Sequence, residues 1–250
     1  MISISRNTFT KKGDPTLMRV EVEKCRRAFE IGRDCKLFRV PQVLDYDNSN
    51  GVAVFERIDG IKPIINAVSW GNEYSALAEI LGSSLAIIHE KLTLPNEMIV
   101  PLPSQLTFPG CDVFIHGDLS VYNVCVEKHW PPIVILDWQM TSMHGGQATY
   151  GTRYFDLMWF IYNLLYRPTI RYLFGNPVSP VSRKFLEAYF RTARIEYKAD
   201  QIASYARHFF DGEMPCRKQH SSRRTYPLLP RSHALTGKFI ESLSEILQQP

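Results

Sequence analysis

The chain has 250 residues, of which 45% are hydrophobic and 22% charged, the balance of a folded globular protein and not of a disordered one. Its longest apolar stretch, Tyr154 to Tyr166, covers thirteen residues and carries Asp156 and Asn163, short of the roughly 20 that a bilayer span needs. No membrane partner is expected. Met1 to Asn7 lacks the apolar core of a secretory signal, so the expected location is cytoplasmic. Five scattered cysteines (Cys25, Cys35, Cys111, Cys125, Cys216) with no Cys-x-x-Cys pair suit neither a disulfide framework nor a zinc site. They read as reduced packing residues.

Net charge is +4, unevenly spread: residues 151–250 hold 15 basic against 8 acidic residues, +7 for that part alone. The densest run, Arg217 to Arg224, lacks interleaved aromatics and a flanking reading module, so it reads as a solvated loop and no nucleic-acid partner is expected.

In chain order, residues 2–12 alternate polar and apolar around Arg6-Asn7, which predicts two short strands joined by a tight turn. Arg19 to Ile31 fits one amphipathic helix ended by Gly32. Val40 to Leu44 and Val52 to Phe55, separated by the turn-rich Asp45 to Gly51, read as a strand pair. After Asp59-Gly60 the pattern turns helical. Glu73 to Leu92 places Leu77, Ile80, Leu81, Leu85, Ile88 and Leu92 at three- and four-residue spacings. His89 within it is expected to be buried and hydrogen-bonded. Further helices are predicted at about 154–166, 181–193, 198–210 and 233–248. There is no internal repeat.

The chemistry concentrates between two apolar strands, Val113-Phe114-Ile115 and Ile133-Val134-Ile135, which bracket His116-Gly117-Asp118 and Asn123 and lead into Asp137-Trp138. A histidine two residues before an aspartate, an asparagine five after it and a second aspartate closing a later strand reproduce the spacing of a phosphoryl-transfer loop. That reaction needs a carboxylate to orient a hydroxyl and take its proton, and hard oxygen ligands for Mg²⁺. Asp118 meets the first need; Asn123 and Asp137 meet the second. Two carboxylates in one cleft repel, and a bound cation relieves them.

On these residues the sequence resembles the aminoglycoside phosphotransferase and choline-kinase-like branch of the protein-kinase-like superfamily. His116-Gly117-Asp118-Leu119 with Asn123, and Leu136-Asp137-Trp138, look like its signature. The resemblance implies a two-lobed α+β fold, with a truncated β-rich N-terminal lobe over residues 1–59 and a mainly helical lobe over 60–250. It implies Asp118 as catalytic base with His116 beside it, more as support for the loop than as a base. Lys11, or its neighbour Lys12, would contact phosphate, and Glu23, or Glu21, would pair with that lysine. Phe55, Glu56, Arg57 and Ile58 look like the hinge that meets adenine, and Asp156 like the aspartate that braces the loop. The implied activity is ATP- and Mg²⁺-dependent transfer of the γ-phosphoryl group to a hydroxyl of a small molecule. The +7 balance of residues 151–250 disfavours a polycationic acceptor. Ten residues precede Lys11 and the first glycine is Gly13, so the family's glycine-rich hairpin is expected to be missing. A non-catalytic binding or scaffold protein is the alternative.

Overall fold

The computed structural model describes residues 2–66, 74–110, 112–127, 133–166, 178–196, 198–220, 234 and 236–243. Strands β1 (Ile2–Ile4) and β2 (Thr8–Lys12) form an antiparallel hairpin. Beyond β2 lie β5 (Val52–Glu56) and β4 (Val43–Asp47), completing a four-stranded antiparallel sheet in the order β1-β2-β5-β4. Between β2 and β4 the chain forms helix α1 (Pro15–Cys35) and the short β3 (Phe38–Arg39).

Helix α1 is longer at both ends than its apolar periodicity predicts. Asp14 caps it, its carboxylate accepting from the N–H groups of Thr16 at 2.9 Å and Leu17 at 3.1 Å, and Pro15 takes the first turn, where no N–H is missed. Gly32 does not end the helix. It lies inside it, because a Cβ there would come within 2.7 Å of the Phe38 carbonyl oxygen; Lys36 in the left-handed conformation closes the helix instead. The predicted strand from Val40 starts later, at Val43, since Pro41 has no N–H for a ladder.

A second sheet, in the order β3-β9-β8-β6, contains β9 (Ile133–Ile135), β8 (Val124–Val126) and β6 (Lys62–Pro63), with β3 parallel to β9 and the other pairs antiparallel. Antiparallel β7 (Asp112–Phe114) and β10 (Tyr150–Thr152) form a third. Long helices among the described residues follow: α2 (Tyr74–Lys91), α3 (Tyr154–Tyr166), α4 (Val178–Ala193) and α5 (Ala199–His220). Of the predicted helix at 233–248, residues 236–243 are helical. The basic run beginning at Arg217 continues α5 to His220, and Ser221 to Arg224 lie outside the described residues.

One apolar core runs from α1 through the strands into the helices and includes Met18, Phe38, Leu85, Ile115, Phe155, Phe160, Phe185 and Phe209. Helices α2 and α4 approach so closely at Gly82 that a Cβ would lie 2.2 Å from the Phe185 carbonyl oxygen. Gly82→Ala is therefore expected to destabilise the protein by about 1–3 kcal/mol through overpacking. Gly212→Ala, in α5 with open space around the site, should gain roughly 0.5–1 kcal/mol from helix propensity. Thermal melting of both variants checks this opposition of sign.

Candidate active site

Strand pairing assembles the site. Val124 of β8 lies opposite Ile135 of β9, and the Leu136 N–H donates to the Asn123 carbonyl at 2.8 Å. Asn123, just before one strand, and Asp137, just after the other, are thereby brought side by side at the strand ends, and both line the same cleft. On the other flank β7 pairs with β10, and the Ile115 N–H donates to the Thr149 carbonyl at 2.9 Å. That register sets the start of α3, and with it Asp156, beneath residues 116–118.

Asp156 is fully buried, and its two oxygens accept from the N–H groups of His116 at 2.7 Å and Gly117 at 2.9 Å. Gly117 has φ +92°, and a Cβ there would stand 3.0 Å from the Met140 Cα, so this position requires glycine. His116 is also fully buried. Its Nε2 donates to the Leu136 carbonyl at 3.2 Å and its Nδ1 accepts from the Asp118 N–H at 3.2 Å. Burial pushes its pKa down to about 4, so the ring is neutral, as those two bonds require. Both ring nitrogens are used inside the loop, and the residue shapes the loop from beneath.

Asp118 projects from that loop. Its Oδ1 accepts from the Trp159 indole N–H at 2.7 Å and its Oδ2 from the Asn123 amide at 3.0 Å. Burial pushes the Asp118 pKa up to about 6, against the pull of these two donors. The Asn123 amide nitrogen also donates to the Asp118 carbonyl at 2.9 Å, so the side-chain oxygen points away without a hydrogen-bond partner among the described residues. Trp159 escapes a sequence reading because it sits in an apolar helix and looks like core. The one available signal is its place three residues after Asp156, on the side of α3 that faces the loop.

From the four-stranded sheet comes Lys11, whose ammonium lies 2.8 Å from a Glu21 oxygen and 2.9 Å from Asp137 Oδ1. Burial lowers the Lys11 pKa, but Glu21 and Asp137 together outweigh it and the net direction is upward. Glu21, not Glu23, is the partner. On helix α1 residues two apart face different ways; Glu21 points inward, while Glu23 reaches along the helix to Arg27 at 2.6 Å. Asp137 is held at φ +55°, an uncommon conformation for a residue with a side chain and a form of local strain found at functional loops.

A cleft of about 290 Å³ joins these groups, lined by Phe9, Lys11, Glu21, Phe55, Glu56, Arg57, Ile58, Asn123, Leu136 and Asp137, among others. The segment Glu56–Arg57 is fixed from both sides. The Glu56 N–H donates to Gln42 and the Arg57 N–H to Asn7, whereas the Ile58 N–H has no backbone partner among the described residues. Trp138 packs tilted against the His116 ring, with centroids 4.5 Å apart. His89 bonds Asp156 at 3.0 Å and the Tyr189 hydroxyl at 2.8 Å, in keeping with a buried, hydrogen-bonded histidine. Among the described residues no group of three His, Cys, Asp or Glu side chains could hold a metal, and none of the helices is long and apolar enough to cross a membrane.

No family model matches the sequence, and no curated protein does. Solved structures do match. A choline/ethanolamine kinase family protein from Mesorhizobium loti aligns over 100% of this chain and 85% of its own at 14% identity, TM-score 0.55. An amicoumacin kinase aligns over 98% and 87% at 14% identity, TM-score 0.56. A macrolide 2′-phosphotransferase from Brachybacterium faecium aligns over 97% and 84% at 15% identity, TM-score 0.51.

The neutral, buried His116 carries a stability signature. Its pKa near 4 lies below the unfolded value of about 6.5, so the unfolded chain takes up a proton first on acidification. Its contribution, roughly 3 kcal/mol, is expected to be intact at neutral pH and lost as pH falls from about 6.5 towards 4. Denaturant unfolding at stepped pH should show this slope, and His116→Asn should flatten it.

Proposed function

This chain has the two-lobed fold of the protein-kinase-like phosphotransferases, and from that premise we propose that it transfers the γ-phosphoryl group of ATP to a hydroxyl of a small molecule. The observation that carries this reading is the convergence of Lys11, Asp137 and Asn123 on one cleft, with Asp118 hydrogen-bonded directly behind Asn123. Sheet, loop and strand ends contribute one part each.

The chain's residues divide the work. Phe55, Ile58 and Leu136 give the cleft apolar walls suited to a planar base, and the Ile58 N–H, without a backbone partner among the described residues, is available to fix it. Lys11, charged and oriented by Glu21, is placed to hold phosphate oxygens. Asp118, steadied at both oxygens, orients the acceptor hydroxyl and takes its proton. The donor set fits a hard divalent cation: an unengaged amide oxygen on Asn123 and a carboxylate on Asp137 would hold Mg²⁺, leaving its other positions to phosphates and water. When bound, the ion supplies charge neutralisation between phosphate oxygens. The amicoumacin kinase with the same fold was solved with AMP-PNP, Ca²⁺ and Ami, and an aminoglycoside phosphotransferase, TM-score 0.56, with gentamicin.

Millimolar Mg-ATP should raise the melting temperature by on the order of 5–10 °C, from about 2.7 kcal/mol at a hundredfold excess over Kd. Asp118→Asn should keep that shift and lose at least roughly a hundredfold in ADP release with an accepted hydroxyl substrate. Asp137→Ala should remove the Mg²⁺-dependent part of the shift. A parent protein that Mg-ATP leaves unmoved would overturn the reading; one that is stabilised yet forms no ADP with any of a panel of hydroxylated metabolites would be a binding protein on a kinase fold.

A further inference from the structure

Lys24 is completely buried, one helical turn beyond Glu21 on the inward face of α1. A lysine is almost never buried to this extent unless something replaces its hydration. The hydrogen bond its ammonium makes goes to the main-chain carbonyl of His116 at 2.6 Å. A neutral carbonyl does not offset the loss of water around a full charge. Surrounding charge does: Asp156, Glu21, Asp137 and Asp118 all act on Lys24 to favour its protonated form. Burial pushes its pKa down, the four carboxylates oppose the fall, and the balance is a pKa of about 8.

The placement has a logic in the fold. Helix α1 sends Glu21 to the sheet lysine Lys11 and Lys24 to the loop that carries Asp118. With Lys11, the cluster sets two ammonium groups against four carboxylates. Without Lys24, the buried Asp156, the largely buried Asp118 and the half-exposed Asp137 would be left with Lys11 as the cluster's other ammonium.

We propose that Lys24 is a positioning residue: a built-in counter-cation that ties helix α1 to the His116–Asp118 loop and keeps the acidic cluster assembled before any ligand enters. Its description as the tether of a catalytic loop rests on the function proposed above; its charge-balancing role does not. A plain packing role for the four-carbon stem is the rival account.

Lys24→Met keeps the stem and removes the charge. Thermal melting at pH 7, without nucleotide, is measured for the parent, Lys24→Met, Asp118→Asn and the double variant, each with MgCl₂ and with NaCl at equal ionic strength. The expected result is a loss of roughly 10 °C for Lys24→Met in the parent background, and a smaller loss when Asp118 is already neutral. MgCl₂ should recover part of the Lys24→Met deficit and leave the parent nearly unmoved. An equal loss in both backgrounds with no response to MgCl₂ overturns the proposal in favour of packing. If Lys24→Met alone yields no folded protein, recovery of a folded double variant supports charge balance and its failure to fold overturns it. None of these readings uses activity, so a parent that ignores Mg-ATP would sink the proposed function and leave this inference standing.

Discussion

The site depends on one carboxylate that never meets solvent. Asp156 accepts three hydrogen bonds, from the N–H groups of His116 and Gly117 and from His89. A buried carboxylate without such donors would bind a proton; with them, its pKa is lowered despite burial. The arrangement is reciprocal. The loop amides keep Asp156 charged, and the charged Asp156 holds two consecutive amides in the geometry that turns Asp118 outward. His89 completes it from α2: the neutral ring donates to Asp156 and accepts from the Tyr189 hydroxyl, so α2, α3 and α4 all meet at the underside of the loop.

Above the loop, α1 performs the equivalent task for the sheet. Its two inward polar residues, Glu21 and Lys24, each cross a layer boundary, one to Lys11 and one to the His116 carbonyl. Apolar neighbours on the same face, Met18, Val22, Cys25 and Ala28, bury the helix in the common core. Packing therefore sets where α1 lies, and the two charged side chains set which loops it holds.

How much of this was legible in the sequence varies with how local the signal is. The spacing of His116, Asp118 and Asn123 and the position of Asp137 after a β-branched run were readable because loop chemistry is written within a few residues. The long helices were readable from periodicity, with α3 matching its predicted limits. Choosing between Glu21 and Glu23 was not possible, since both fit a helix and only the sheet above decides which one meets a lysine. Trp159 and Lys24 were invisible for a related reason: their partners lie 41 and 92 residues away in sequence, and nothing local distinguishes a tryptophan in an apolar helix or a lysine among charged neighbours. The early start of α1 was present in Asp14-Pro15, a capping signal that outranks the apolar pattern.

The double grip of Lys11 on Glu21 and Asp137 has a consequence for how the cleft can fill. Any anion that takes the ammonium from Asp137 strands that carboxylate beside newly arrived negative charge. A bare anion meets repulsion. On the proposed function, an anion arriving with its own cation would leave Asp137 partnered, and an anion arriving alone would not.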